Sequence, residues 1–406
     1  MGRQYSPRNF LRQAPNNLLA RYFHERDLLL DIDIAGLDEI NIEPLFQAYE
    51  CLPDEVRTRT DSDFRTVDAL AEEEGIMTIL EEGRYHGDDL EPVFAPMEGF
   101  YDKVLWTFLE HSAYVQIAAR FREADELPKS YWLRRKDVPQ VEPRDDAAAC
   151  NELADAIGAY FRQSEGRGYS CIVEVYKRGR AHYFFAYPED YGRTQIEYEE
   201  GRLERRPHRP AFEVIFVCSQ ADGTLDTFFR GRRQTVRDLQ EIFARVVLQR
   251  ELGDAAKDEL VYELNKLKRR DFNFVYDPGS GIQDVRMKLL RLSFLGERGR
   301  RITIEADPSR QRDAIYDLLD QVTVGGPETG ATSGSKIPLA LVNVTRASIQ
   351  ALFAKEGKRG PPTRTFSLSY PNGCTLGQDG KDALLRRMLV DSGIEPVIRP
   401  SSPEGT

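Results

Sequence analysis

Apolar residues recur at three- and four-residue intervals through the first 165 residues, then alternate with polar ones beyond Gly166. Ser6-Pro7 opens a first helix, with Ser as the N-cap and Pro at the first helical position. Phe10, Leu11, Leu18, Leu19, Tyr22 and Phe23 fall near one face behind it. Ile42, Leu45, Phe46 and Tyr49 predict a second helix, ended by Pro53. Asp61–Glu82 predicts a third, with Phe64, Val67, Leu70 and Ile79 turned inward. Tyr101–Phe121 is the longest, carrying Val104, Leu105, Phe108, Val115 and Ile117. Asp145–Gln163 closes the set with Leu153, Ile157 and Phe161. The charged, proline-punctuated stretch 126–144 before it reads as a linker or an ordered excursion.

Past Gly166 the period becomes two. Ser170–Lys177, Ala181–Tyr187, Thr194–Glu199 and Phe212–Ser219 are rich in aromatic and β-branched residues. Ala221-Asp-Gly223 predicts a hairpin into Thr224–Phe229, and connections this short imply an antiparallel meander. Thr235, with Asp238 reciprocal to it, is the expected N-cap of a helix whose stripe is Val236, Leu239, Ile242, Phe243 and Val247. Further on, Val285–Phe294 and Arg301–Glu305 read as a hairpin across Gly296–Gly299, and Asp307-Pro308 as a helix start. Leu339–Val344 and Thr365–Tyr370 then read as strands. Thr345–Ala354 and Lys381–Leu389 read as helices, stopped by Gly357 and Gly393.

The expected class is therefore α+β. An acidic all-helical domain (1–165) precedes an antiparallel meander with its covering helix (166–258). A small α/β layer (259–398) and a tail disordered by composition (399–406) follow.

Charge sharpens this division. Residues 1–165 hold 18 Lys/Arg against 34 Asp/Glu, a net of −16, while the remaining 241 residues net +5. Two bodies with different surroundings, and different partners, follow from such a step. The N-terminus has no apolar signal region and no window has the ~18 apolar residues of a membrane span, so no membrane partner is expected. Five scattered cysteines without a C-x-x-C pair fit neither a disulfide framework nor a zinc site, and point to a reducing cytoplasm.

Candidate chemistry is sparse. Gly330–Lys336 has the glycines and lysine of a phosphate loop, but Ser335 separates Gly from Lys and a strand follows where a helix is needed. His86-Gly-Asp-Asp89 reads as a surface turn, without a second histidine at ligand spacing. Glu174 and Lys177 suggest a metal-dependent nuclease or hydrolase, yet a spacing of three puts them on opposite faces of a strand. No cofactor motif and no nucleophile elbow is present.

What remains is cationic and aromatic. Lys177, Arg178 and Arg180 interleave with rings on the meander. Arg205, Arg206 and Arg209 follow, then Arg230, Arg232 and Arg233 at the hairpin exit, with Lys266, Lys268, Arg269 and Arg270 beyond. Guanidinium groups fork onto phosphates and exposed rings stack on bases, so this set is the expected contact for DNA or RNA. The leading expectation is a non-catalytic subunit of a cytoplasmic assembly. Its acidic half would dock a protein and its arginine-rich half a second partner or nucleic acid. Bacterial systems that handle foreign DNA, phage defence among them, are the natural setting. A divergent metal-dependent nuclease or hydrolase using Glu174, Lys177 and the nearby carboxylates Asp190, Glu197 and Glu199 is the alternative. A third option is an acidic half that mimics nucleic acid and blocks a basic groove.

Overall fold

A computed structural model describes residues 5–38, 41–136, 138–199, 201–253, 262–295, 300–324, 337–354, 362–370, 373–377 and 380–395. The phosphate-loop-like Gly330–Lys336, the turn Gly296–Gly299, Gly357 and the tail from Arg399 lie outside them. Helices and antiparallel sheets make an α+β protein that divides into two units, at Leu127/Pro128.

The first unit is helical: α1 (Pro7–Gln13), α2 (Asn16–His24), α3 (Glu43–Glu50), α4 (Asp54–Leu70), α5 (Glu73–His86), α6 (Glu91–Phe94), α7 (Phe100–Glu110) and α8 (Ser112–Glu126). Ser6 caps α1 by accepting from the Asn9 N–H, behind Pro7 at the first position. The helix expected over Asp61–Glu82 is two, because the chain leaves the helical region at Ala71 and Glu72. Gly75 makes the break possible: a Cβ there would stand 2.2 Å from the Leu70 carbonyl oxygen. The helix expected over Tyr101–Phe121 is likewise broken, at His111. Phe64 of α4 centres the core. It stacks on Phe10 at 4.2 Å between centroids and meets Tyr22 at 5.0 Å and Phe23 at 6.0 Å. Tyr22 and Tyr101 bury their rings there, Tyr5 packs half-buried against them, and all three donate to carboxylates of α4: Tyr5 to Asp61, Tyr22 to Asp63 and Tyr101 to Asp68. Part of the acidic charge is thus used internally.

The second unit opens with β1 (Trp132–Arg135), a strand inside the segment expected as a linker. α9 (Ala147–Glu165) follows, capped by Asp146 accepting from the Ala149 N–H at 2.9 Å. Then come β2 (Cys171–Arg178), β3 (Ala181–Pro188), β4 (Arg193–Glu199), β5 (Arg202–His208), β6 (Val214–Ser219), β7 (Thr224–Phe229) and α10 (Arg233–Phe243). The antiparallel sheet runs β1-β7-β6-β3-β2, and β4–β5 is a separate two-stranded ribbon inserted between β3 and β6. Leu153, Ile157 and Phe161 of α9 and Val236, Leu239 and Phe243 of α10 share one core with Phe184, Phe216 and Phe229 of the sheet. α9 was expected in the helical half, yet its apolar stripe belongs under this sheet. Moving the division to 127/128 also sharpens the charge step: residues 1–127 carry 12 basic and 27 acidic groups, and 128–165 are nearly neutral. α10 starts two residues before Thr235, without a side-chain cap, and Asp238 instead accepts from the Tyr160 hydroxyl.

A second sheet, β14-β13-β12-β8-β9, completes the unit. Its elements are β8 (Ile282–Phe294), β9 (Arg301–Glu305), α11 (Ala314–Val322), the short parallel pair β10 (Thr323–Val324) and β11 (Ile337–Pro338), β12 (Val342–Phe353), β13 (Thr363–Ser369), β14 (Gly373–Cys374) and α12 (Gly380–Asp391). The helix expected at Thr345–Ala354 is the second half of β12. Its Ala, Gln and Leu favour helix, but Ala347, Ile349, Ala351 and Phe353 alternate into the core, and strands pair on both sides. The layer is therefore antiparallel, not a strand–helix alternation. α11 also begins later than Asp307-Pro308 suggested, at Ala314.

An ion cluster ties the two sheets together. Arg134 of β1 forks onto Asp226 of β7, Nε to Oδ1 at 2.7 Å and Nη2 to Oδ2 at 2.6 Å. Its Nη1 reaches Glu395, just beyond α12, at 3.1 Å, and Lys136 Nζ reaches the same oxygen at 3.1 Å.

Candidate interaction surface

The nine predicted basic residues do not converge. Lys177, Arg178 and Arg180 lie where β2 turns into β3, the end at which Ala181 pairs with Ser219 and Ser219 with Thr224. Arg209, Arg230, Arg232 and Arg233 lie at the other end, near the Val214–Phe229 pair. Five residues of β6 separate the ends, about 17 Å of strand. Lys177 Nζ pairs with Asp145 at 2.8 Å, and Arg178 is buried. Arg206 pairs with Glu204 and Glu197, and Arg209 with Glu189 at 3.5 Å. Arg180, Arg205, Arg230, Arg232 and Arg233 are exposed. The rings offered for stacking are not: Phe184 is core, and Tyr183 and Phe185, which alternate with it along β3, are buried as well.

The later basic run is also spent within the fold. Lys268 Nζ donates to the carbonyls of Leu339 and Val342 at 3.0 and 2.8 Å, and burial lowers its pKa. Arg270 pairs with Asp317 and Asp320, Arg269 with Asp271, and Lys266 donates to the Gly393 carbonyl.

Glu174 and Lys177 project to opposite faces of β2, since Lys177 shares the side of Val173 and Val175, which pack on the core. Lys177 faces Asp145 instead, and holds that carboxyl below its usual range through a hydrogen bond. His86 ends α5, bonds Glu82 at 2.9 Å and stacks on Tyr114, whose hydroxyl donates to Asp88 at 2.6 Å. Among the described residues no group of three or more His, Cys, Asp or Glu could hold a metal ion, and no helix is long and apolar enough to cross a membrane.

Among the described strands, those of the ribbon are the most exposed. Arg193 pairs with His208, Ile196 with Arg205 and Tyr198 with Leu203 through to Glu199 with Arg202. Two residues remain for the turn, and Gly201 takes the left-handed conformation at φ 75°. This register puts Thr194, Ile196, Tyr198, Leu203, Arg205 and Pro207 on one face and the polar residues on the other. Ile196, Tyr198 and Leu203 are 58, 77 and 52% exposed. The sequence predicts the strand Thr194–Glu199, whereas Arg205 and Arg206 enter only as basic candidates and no strand is assigned to Arg202–His208. Its charge and Pro207 hid the partner strand, and the available signal was the glycine two residues after Glu199.

The ribbon's base is braced. Asp190 accepts from Arg167 Nη1 at 2.7 Å and from Arg193 Nη2 at 2.6 Å, while the Tyr191 hydroxyl donates to the Glu165 carbonyl at 2.5 Å. Burial works to raise the Asp190 pKa, but the Arg167 hydrogen bond, the Tyr191 N–H and the charges of Arg167 and Arg193 together outweigh it, and the carboxyl sits below its usual range. No known protein family, curated protein or solved structure matches this chain.

Proposed function

We propose that this chain is a non-catalytic interaction subunit, and that the ribbon Arg193–His208 seats its apolar face in an apolar groove of a partner protein. The observation that carries the reading is an amphipathic two-stranded arm with Ile196, Tyr198 and Leu203 in solvent. A bare two-stranded hairpin is marginal in water, and a rigid base aims this one outward. Seven residues per strand give a face about 23 Å long and roughly 10 Å wide. That is far below the ~800 Å² per partner of a stable interface, so pairing with a second copy's arm falls short and a groove wrapping the arm fits better.

Four arginines and four glutamates between Arg193 and His208 leave the arm neutral apart from its histidine, which favours protein over nucleic acid. The N-terminal unit, at net −15 over residues 1–127, supplies a second docking surface suited to a basic partner. Five free thiols, Cys51 among them exposed, suit a reducing cytoplasm, where we place the assembly.

The test compares the full chain with Tyr198→Lys/Leu203→Lys, each isolated from the native host and sized by light scattering. The expected result is a protein partner that the double variant loses while its melting curve is unchanged. Retention of that partner by the variant overturns the role of the arm. A raised 260/280 ratio, with shift of labelled single-stranded RNA or DNA at low salt, transfers the reading to nucleic acid. Mg²⁺-dependent cleavage lost in both Glu174→Ala and Lys177→Ala transfers it to a hydrolase.

A further inference from the structure

A cavity of about 340 Å³ lies beside β8, walled by that strand, the connecting segment 270–276 and the start of α11. It exists because a neighbouring strand stops short. β12 pairs with β8 along its whole length, whereas β9 pairs only with Leu289–Ser293. The Ala306 N–H still donates to the Lys288 carbonyl at 3.0 Å, but Pro308 beyond it has no N–H to continue the ladder. Among the described residues, Ile282–Met287 therefore have a strand on the β12 side alone.

The charges lining this space are of both signs. Arg286 is fixed through Nε on Asp284 Oδ2 at 2.6 Å and Nη1 on the Pro308 carbonyl at 2.9 Å. Arg312 reaches the other oxygen of Asp284 at 3.0 Å. One carboxylate thus serves two guanidinium groups. Among the described residues, Arg286 Nη2 and the Nε and Nη1 of Arg312 engage no protein acceptor. The neighbouring Asp313 carboxylate also lines the cavity, is exposed, and has no hydrogen-bond or ion-pair partner among the described residues. Aromatic rings complete the wall: Phe272 and Phe274, edge to face at 5.1 Å, with Tyr276 and Tyr316.

We propose that this cavity binds a free α-amino acid with an aromatic side chain. The carboxylate accepts from the unengaged N–H groups of Arg286 and Arg312, the α-ammonium donates to Asp313, and the side chain packs on the rings. An α-amino acid carries its two charges on one carbon, and the adjoining residues Arg312 and Asp313 offer the two opposite charges as close together. A phosphate would find the same arginines but face the Asp313 carboxylate, and a neutral ring compound would leave both charges unserved. The volume is at the lower end of small-ligand sites, which run from about 300 to 1,000 Å³, and suits one amino acid.

The experiment titrates the full chain with L-phenylalanine by calorimetry. N-acetyl-L-phenylalanine, L-phenylalaninamide and glycine are run beside it, lacking the ammonium, the carboxylate and the ring in turn. Saturable binding of L-phenylalanine is expected, with each analogue about tenfold weaker. Arg312→Gln and Asp313→Asn change exposed side chains and are expected to melt as the wild type does. Arg312→Gln should shrink the preference over the amide, and Asp313→Asn the preference over the N-acetyl form. The site is overturned by no saturable binding of L-phenylalanine, by analogues that bind as tightly, or by preferences unchanged in both variants. Saturable binding of inorganic phosphate in place of the amino acid overturns it equally.

Discussion

Arg167 donates to Asp190 at 2.7 Å and lies over the Phe212 ring, 4.0 Å from its centroid. One guanidinium thereby joins the end of α9, the exit of β3 and the entry to β6. The ribbon leaves the sheet at this point, and a braced base makes an exposed arm hold one direction.

Asp190→Ala leaves Arg167 with its charge largely buried and one partner fewer. A loss of about 3 kcal/mol is expected, read by urea unfolding, together with faster amide exchange over β4 and β5.

The pH dependence of that pair has a definite sign. A carboxyl with a depressed folded pKa contributes stability that is present above its unfolded value, about 3.9, and lost as pH falls through the folded value. Asp190→Asn should flatten the acid limb of the stability curve below pH ~4. An unchanged acid limb would count against the pairing.

Glu82 has the opposite sign. Burial raises its pKa, against a smaller lowering by the His86 hydrogen bond. Protonation therefore stabilises, and this contribution is lost as pH rises through the folded value. Glu82→Gln keeps a polar partner for His86 without the buried charge, so its Tm should exceed the wild type's at pH 7 and match it below pH ~4.

Phe64 is fully buried at the centre of the helical unit. Phe64→Ala should cost about 3–5 kcal/mol there. In a Trp132→Phe background Trp106 is the remaining tryptophan, and its fluorescence transition should move to lower urea.

Gly201 turns the ribbon at φ 75°, a conformation that β-branched side chains resist. Gly201→Val should fray β4 and β5, seen as lost amide protection confined to residues 193–208, with the global unfolding midpoint held within about 0.5 kcal/mol.

Local signals located most elements well. The Ser6-Pro7 start, the Asp-Gly turn at 222–223 and the apolar stripe of α10 each rest on contacts within a few residues, which a single chain displays. The errors fall where distant partners outvote local preference. β1 is four residues long and exists because β7 offers it an edge. The second half of β12 is a strand because β8 and β13 flank it. The basic candidates were legible as a composition but not as a site, because Asp145 and Asp317 come from elsewhere in the chain to pair with Lys177 and Arg270.

The sequence by itself determined the α+β class, the helical and strand-rich halves and the charge that separates them, since periodicity and composition are local properties. The tertiary structure decided that the division falls at 127/128 and that α9 belongs with the sheet. It also decided that an amphipathic ribbon stands in solvent while Arg134 and Glu395 are buried together. Those outcomes depend on which surfaces meet, and burial of a charge or exposure of a ring is set by neighbours far away in the chain.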